Sequence, residues 1–361
     1  MKKRTIFGGV LGLLAGIGVY GWVRMRGSEQ NGGVGLEENW TTADIPDLTG
    51  KVIIVTGANS GLGFESTKEL TRKGARVVMA CRNMDKARSA LHQILLEIPN
   101  APAEIVHLDL ADLDSVREFV AEFKAKHQRL DVLVNNAGIM VVPYGTTKDG
   151  FESQLGTNHL GHFALTGLLL GVLLETPGSR VVTVSSSAHR FGRLDFDNLM
   201  SNGGHGYSRM RAYGRSKLAN LLFTYELERR LEARDASTIA VAAHPGTANT
   251  NLSRHVDGGL SSKIRGLWRP VLAQSATMGA LPILRAATDP GVQGGEYYGP
   301  NGLLQQKGYP VRVDSNKASH SREDARRLWQ ASEQLTGVRF AQLDEAVVHL
   351  DDSIGSLPAA S

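Results

Sequence analysis

The sequence predicts an α/β protein, a doubly wound parallel sheet flanked by helices on both faces, and two observations carry that expectation. From Lys51 onward, short β-branched runs alternate with longer amphipathic stretches, the pattern of strands joined by crossover helices. The run Val52-Ile53-Ile54-Val55 also passes directly into Thr56-Gly57-Ala58-Asn59-Ser60-Gly61-Leu62-Gly63, which opens a helical pattern. Strand, glycine-rich turn and helix in that order form the first half of a parallel unit, and right-handed crossovers extend it into a doubly wound sheet.

The chain begins with a different element. Residues 5–23 carry no charge and are mostly apolar. As a helix they would span roughly 28 Å, close to the thickness of a bilayer core. Lys2, Lys3, Arg4, Arg24 and Arg26 flank the segment, with Tyr20 and Trp22 near one end, as an interfacial belt requires. Residues 1–27 are therefore expected to be a single-pass transmembrane helix. A cleaved signal peptide shares the basic start and apolar core, but no small-x-small site follows Val23. Gly8, Gly12 and Gly16 recur every four residues, a small-residue face that suits a helix-mediated homodimer. The body is expected on the cytoplasmic side, although three cations before the segment and two after it leave the orientation open. Residues 28–48, rich in Gly, Glu and Asn, read as a linker.

Within the body, strands are expected at residues 52–55, 75–80, 103–108, 130–134, 180–185 and 238–243. Helices are expected near 61–73, 84–97, 112–127, 157–175 and 213–232. Residues 49–340 form one domain, and the acidic, loosely patterned residues 341–361 form a mobile tail. The net charge of +4 sits in the anchor, because the first 27 residues hold five cations and no acid. The body is thus close to neutral, which argues against a nucleic-acid partner. Cys81 is the only cysteine, so no internal disulfide forms. No Cys/His cluster has metal-ligand spacing.

Two motifs carry chemistry. Three glycines in a chain of 41 mean little alone, but here they join a strand to a helix. Glycines let the backbone turn sharply and approach a phosphate, and the new helix aims its free N–H groups at it. Gly57, Asn59, Ser60, Gly61, Leu62 and Gly63 are therefore expected to hold a dinucleotide. The second motif is Tyr213-Gly214-Arg215-Ser216-Lys217, which opens a helical run. It sets a phenol and an ammonium on one helix face. An ammonium beside the phenol favours the phenolate, lowering a pKa of about 10 toward the range useful for proton transfer to a carbonyl.

The end of the second strand selects the cofactor. An NAD site places a carboxylate there for the ribose 2′-hydroxyl. This chain has Cys81-Arg82-Asn83 and no acid before Asp85. Arg82 suits a 2′-phosphate, so NADP(H) is the expected cofactor.

The order of glycine-rich turn, Asn135-Asn136-Ala137-Gly138, serine cluster and Tyr/Lys pair resembles the short-chain dehydrogenase/reductase family, with its Rossmann-type fold, over about residues 45–340. Longer strings are similar to the retinol dehydrogenase group. They are Ala80-Cys81-Arg82-Asn83, Thr157-Asn158-His159-Leu160-Gly161-His162-Phe163, Ser186-Ser187-Ala188-His189, Ser216-Lys217-Leu218-Ala219-Asn220 and Ala325-Arg326-Arg327-Leu328-Trp329.

The resemblance implies a role for each matching position. Tyr213 would be the general acid/base, with Lys217 tuning it and holding the cofactor ribose. Of Ser185, Ser186 and Ser187, the match selects Ser186 to hydrogen-bond the reacting carbonyl. Asn158 would support a water-mediated proton path to Lys217. Asn135, Ala137 and Gly138 would line the adenosine side, and Asp109 would contact the adenine. Pro245, Gly246 and Thr247 would border the nicotinamide, with Thr250 a looser candidate. The family also pairs subunits through helices near 112–127 and 157–175, a second route to a homodimer.

The substrate is expected to be a small lipophilic alcohol or its aldehyde or ketone. Two long connections would cover the site, residues 187–212 and the apolar stretch from Asn249 to Ala273 with Leu252, Leu260, Ile264, Leu267, Trp268 and Val271. Two other readings fit the same motifs. One is C=C reduction, as in the similar protochlorophyllide reductase branch. The other is a non-catalytic NADP(H)-binding scaffold.

Overall fold

A computed structural model of the chain describes residues 39–247 and 274–343. The expected membrane segment, most of the linker, Thr250, the whole apolar stretch from Asn249 to Ala273 and residues 344–361 lie outside the described residues.

One eight-stranded sheet runs through the body in the order β3-β2-β1-β4-β5-β6-β7-β8. The first six strands are β1 (Val52–Thr56), β2 (Arg76–Cys81), β3 (Ala103–His107), β4 (Val132–Asn135), β5 (Arg180–Val184) and β6 (Ile239–Ala243). All pair in parallel. The order reverses at β1, from which the chain winds outward in both directions, and a cleft opens at the carboxyl ends of the strands there. Helices α1 (Gly61–Arg72), α2 (Met84–Glu97), α3 (Leu113–Lys126), α4 (Gly161–Leu174) and α5 (Arg209–Glu232) make the crossovers.

Strand alternation divides the core into two layers. Ile53 and Val55 pack on one face with Val77, Met79 and Ile94 of α2. Ile54 faces the other way, toward Phe119 of α3, Phe163 of α4 and Phe223 of α5. Every strand residue from Val52 to Thr56 is buried, which explains the continuously apolar run.

Four elements do not show in the sequence pattern. They are α6 (Ala276–Thr288), β7 (Tyr297–Pro300), β8 (Pro310–Arg312) and α7 (Arg322–Thr336). Strand β8 pairs antiparallel to β7, so the far edge departs from the all-parallel expectation. The helix expected at 157–175 is also subdivided. A turn at Ser153–Leu155 leads into a π-turn at Gly156–Leu160, and only then does α4 begin. Ser153–Leu174 is the one run among the described residues long and apolar enough to cross a membrane, but it is largely buried in the body.

Both expected domain edges move. Trp40, Ile45 and Leu48, placed in the linker by composition, are buried against β1, α1 and α2. Lys73 Nζ donates to the Ile45 carbonyl at 2.7 Å, so this strap belongs to the body. At the other end, Leu343 is buried beside Phe340, which carries the body into the expected tail. Sparse apolar residues among polar ones gave no periodic signal, yet each finds a core position.

Candidate active site

The glycine turn is held from below by Thr56, the last residue of β1. Its Oγ1 accepts the backbone N–H groups of Asn136 and Ala137, each at 2.9 Å. Asn136 Nδ2 donates to the Thr56 carbonyl at 2.7 Å. The first two turn glycines are left-handed, Gly57 at φ +67° and Gly61 at φ +55°, where a side chain would be strained. Gly63 is needed for closeness instead. A Cβ there would collide with the Gly57 carbonyl oxygen and lie 2.6 Å from Asn136 Nδ2. Ser60 begins α1 without a side-chain cap, so the first N–H groups of the helix remain free toward the cleft, as an anion site requires.

The cleft has a volume of about 470 Å³. Of the residues expected from the sequence, Gly57, Asn59, Ser60, Gly61, Leu62, Arg82, Asp109, Ala137, Gly138, Ser186, Tyr213, Lys217, Pro245, Gly246 and Thr247 line it. Gly63, Asn135 and Asn158 are not among its lining residues. Asn135, the end of β4, buries its side chain and donates from Nδ2 to Thr166 Oγ1 of α4 at 3.0 Å. The pleat turns it toward a helix, so it braces the sheet rather than facing a ligand.

The cleft also includes Lys86, which the sequence reading passed over. It lies in the first turn of α2, four residues after Arg82, and that spacing was the available signal. Arg82 is 66% exposed along its side chain and lies 3.8 Å from Asp109 Oδ1. Two cations thus stand just past β2, with the Asp109 carboxylate beside Arg82 and no acid at the strand end itself.

At the other end, α5 presents Tyr213 and Lys217 one turn apart, only 7% and 4% exposed. Lys217 Nζ donates to the Val184 carbonyl at 3.0 Å and lies 5.9 Å from the centre of the Tyr213 ring. Ser185 Oγ donates to the Lys217 carbonyl at 2.8 Å, which commits that hydroxyl to the helix. The neighbouring Ser186 hydroxyl lies against the Tyr213 phenol, so geometry distinguishes it from Ser185.

Electrostatics here depart from the sequence expectation. Burial raises the Tyr213 pKa above its ordinary value, and Ser186 opposes that rise. Burial also pushes the Lys217 ammonium down to about 8. With its ammonium turned to Val184, Lys217 does not offset desolvation of the phenol.

Asn158 stands in the π-turn behind this pair. Its Oδ1 accepts from Ile139 N–H at 2.8 Å, and its Nδ2 donates to the Ile139 carbonyl at 3.0 Å and to Ser216 Oγ at 2.9 Å. A Cβ on Gly138 would lie 3.0 Å from Asn158 Oδ1 and 3.7 Å from Lys217 Nζ. The asparagine therefore sits one glycine away from the lysine.

A buried histidine, also missed, links the two ends. His162 Nδ1 lies 3.0 Å from the Asn158 carbonyl, which can only accept, so Nδ1 carries the proton. Burial drops the His162 pKa to about 4, which keeps the ring neutral and makes Nε2 an acceptor. Thr56 Oγ1, 2.9 Å away, donates to it. Pro245–Thr247 completes the wall. Gly246 is left-handed at φ +63°, and Thr247 N–H donates to the Gln306 carbonyl at 3.0 Å. Thr250 lies outside the described residues.

These residues fit a dinucleotide. The glycine cradle leaves no room for a Cβ at Gly63, an uncapped helix faces the cleft, and Arg82 and Lys86 add positive charge to its wall. Among the described residues, no group of three or more His, Cys, Asp or Glu side chains is arranged to hold a metal ion.

A family model described as short chain dehydrogenase matches residues 51–259. Human retinol dehydrogenase 12 is 42% identical over 297 residues, covering 81% of this chain and 88% of its own. Mouse retinol dehydrogenase 11 is 48% identical over 222 residues, covering 62% of this chain and 67% of its own. The crystal structure of an uncharacterized protein from Mycobacterium paratuberculosis superposes with a TM-score of 0.69 at 42% identity, covering 84% of this chain and 99% of that one.

Proposed function

The chain belongs to the short chain dehydrogenase family, and on that premise we propose that it is an NADP(H)-dependent oxidoreductase interconverting a lipophilic alcohol and its aldehyde or ketone. The observation that carries this reading is the convergence of Tyr213, Ser186 and Lys217 on the cleft that holds the glycine turn.

When bound, the nicotinamide supplies or accepts the hydride. The protein handles the rest. In the direction of reduction, the Tyr213 phenol gives its proton to the carbonyl oxygen as charge develops there, and in oxidation it takes the proton back. The Ser186 hydroxyl donates to the same oxygen and holds it toward the phenol. Lys217, as an ammonium, favours the phenolate once a ligand reorganises the site. Asn158 supports a water-mediated path that returns the proton through Lys217. Arg82 and Lys86 together favour NADP(H), since two cations can embrace a 2′-phosphate and the end of β2 carries no acid for a 2′-hydroxyl. Asp109 serves the adenine, while Pro245, Gly246 and Thr247 border the nicotinamide.

The lipophilic substrate rests on the relatives named retinol dehydrogenases and on the apolar N-terminal segment. We read that segment as a single-pass anchor with the body on the cytoplasmic side, and the protein as a homodimer. The comparisons favour neither C=C reduction nor a scaffold role.

The test is a carbonyl panel of retinal, decanal, steroids and small aromatic aldehydes, run with the full-length protein while NADPH oxidation is followed. Turnover of the lipophilic members supports the reading. Tight NADPH binding without oxidation by any of them would reject it.

A further inference from the structure

Val141 holds a backbone conformation that its own side chain resists. At φ +56° it is left-handed, where a β-branched residue is a true outlier. Such strain persists only when the surroundings over-determine it, and it gathers near functional sites. Here the surroundings are a buried polar network. Val141 N–H donates to Gln154 Oε1 at 2.8 Å, and Gln154 is fully buried. Its Nε2 donates to Tyr207 Oη at 2.8 Å and to the Arg209 carbonyl at 3.0 Å.

The network continues to the catalytic helix. Tyr207 Oη donates to Glu152 Oε1 at 2.7 Å. Glu152, also fully buried, accepts from the backbone N–H of Gln154 and Leu155, each at 2.9 Å. Its Oε2 pairs with Arg215 Nη2 at 3.3 Å. Arg215 stands two residues beyond Tyr213 and donates to Ser201 Oγ at 2.9 Å.

What the clamp positions is Met140. This residue lines the same cleft as Ser186 and Tyr213. On its N-terminal side, Ile139 is gripped at both N–H and C=O by Asn158. On its C-terminal side, Val141 is gripped by Gln154. Two buried amides four residues apart therefore fix both flanks of one polarizable, apolar side chain. Methionine conforms to an apolar ligand, but only from a backbone held in place.

We propose that Gln154 is a positioning residue: by holding Val141 left-handed, it sets Met140 as the wall against which a bulky apolar carbonyl packs, and so selects substrates by bulk. This deepens the oxidoreductase reading and rests on it.

The test compares retinal with benzaldehyde in full-length protein in detergent micelles, with NADPH affinity measured separately by fluorescence. Gln154→Met keeps the volume and removes the acceptor. It is expected to lower the retinal-to-benzaldehyde ratio of kcat/KM at least tenfold, mainly through KM for retinal, while NADPH affinity stays within twofold. Adding Val141→Gly should restore most of the ratio, because glycine takes φ above zero without a clamp. If Gln154→Met does not fold, Met140→Ala tests the wall directly and should lower the same ratio at least fivefold. An unchanged ratio in either variant, or a parallel loss on both substrates that Val141→Gly does not repair, overturns the proposal. A wild-type protein inactive on every carbonyl would instead reject the oxidoreductase reading, an outcome separate from an active wild type whose ratio does not move.

Discussion

Asn158 reaches Ser216 across 58 residues of chain, Nδ2 to Oγ at 2.9 Å, and Ser216 passes the contact to the Tyr213 carbonyl at 2.8 Å. The π-turn and the catalytic helix are thereby fastened at the residue whose phenol faces the cleft. Asn158 also satisfies both backbone groups of Ile139. Asn158→Leu would leave two partly buried peptide groups of Ile139 unpaired, at up to about 1–3 kcal/mol each. The variant should lose several degrees of Tm by calorimetry, and kcat should fall more than NADPH affinity. An unchanged Tm would mean that other partners replace the amide.

Tyr213→Phe removes one oxygen from a buried ring and leaves the glycine cradle untouched. The proton then has no donor, and kcat should fall by about 10²–10⁴-fold. NADPH affinity, measured by fluorescence titration, should stay within a few-fold. Substantial residual turnover would show that another group moves the proton.

Arg82 is exposed and pairs with Asp109 only at 3.8 Å, a loose contact that a phosphate would compete with. Arg82→Asp places a carboxylate where a 2′-hydroxyl would accept one and a 2′-phosphate would not. Losing a charge-assisted contact of about 1.5–3 kcal/mol should lower the NADPH-to-NADH ratio of kcat/KM by about 10–100-fold. A preference for NADH in the wild type, unchanged in the variant, would contradict the assignment.

Glu228 of α5 accepts the Ala240 N–H at 2.6 Å, and burial raises its carboxyl to about 7, with Ala240 opposing and Glu232 adding to the rise. Between about pH 4.5 and 7, the folded protein holds a proton that the unfolded chain has released. This contribution to stability is full below that window and is lost as pH rises through it. Glu228→Gln removes the titration. Relative to wild type, the variant should gain about 1–2 kcal/mol between pH 5 and pH 8, allowing for solvent screening. An identical stability difference at both pH values, by urea unfolding, would assign the dependence elsewhere.

The sequence was most legible where local propensity and burial agree. The runs that became β1, and β2 after Arg76, are uninterrupted β-branched or apolar residues, and Tyr213 and Lys217 share a face for helical reasons alone. It was least legible where a distant partner makes the element. Tyr297–Pro300 and Pro310–Arg312 are three or four residues long and contain Gly or Pro, so cross-strand pairing rather than propensity makes them strands. The side of the pleat that takes Asn135 depends on strand register, which one motif does not reveal. The raised Tyr213 pKa depends on burial and on where Lys217 points, and neither is written in a four-residue spacing.

The chain of contacts from Asn136 and Ala137 through Thr56 and His162 to the Asn158 carbonyl has one arrangement of protons that pairs every member. Thr56 Oγ1 accepts twice and gives its hydrogen to His162, the closer of its two acceptors. The neutral ring accepts at one nitrogen and donates at the other. A brace with no member that titrates near neutrality keeps its alignment across the whole pH range in which the Tyr213 proton moves. Acidity can then change the chemistry at one end of the cleft without loosening the grip at the other.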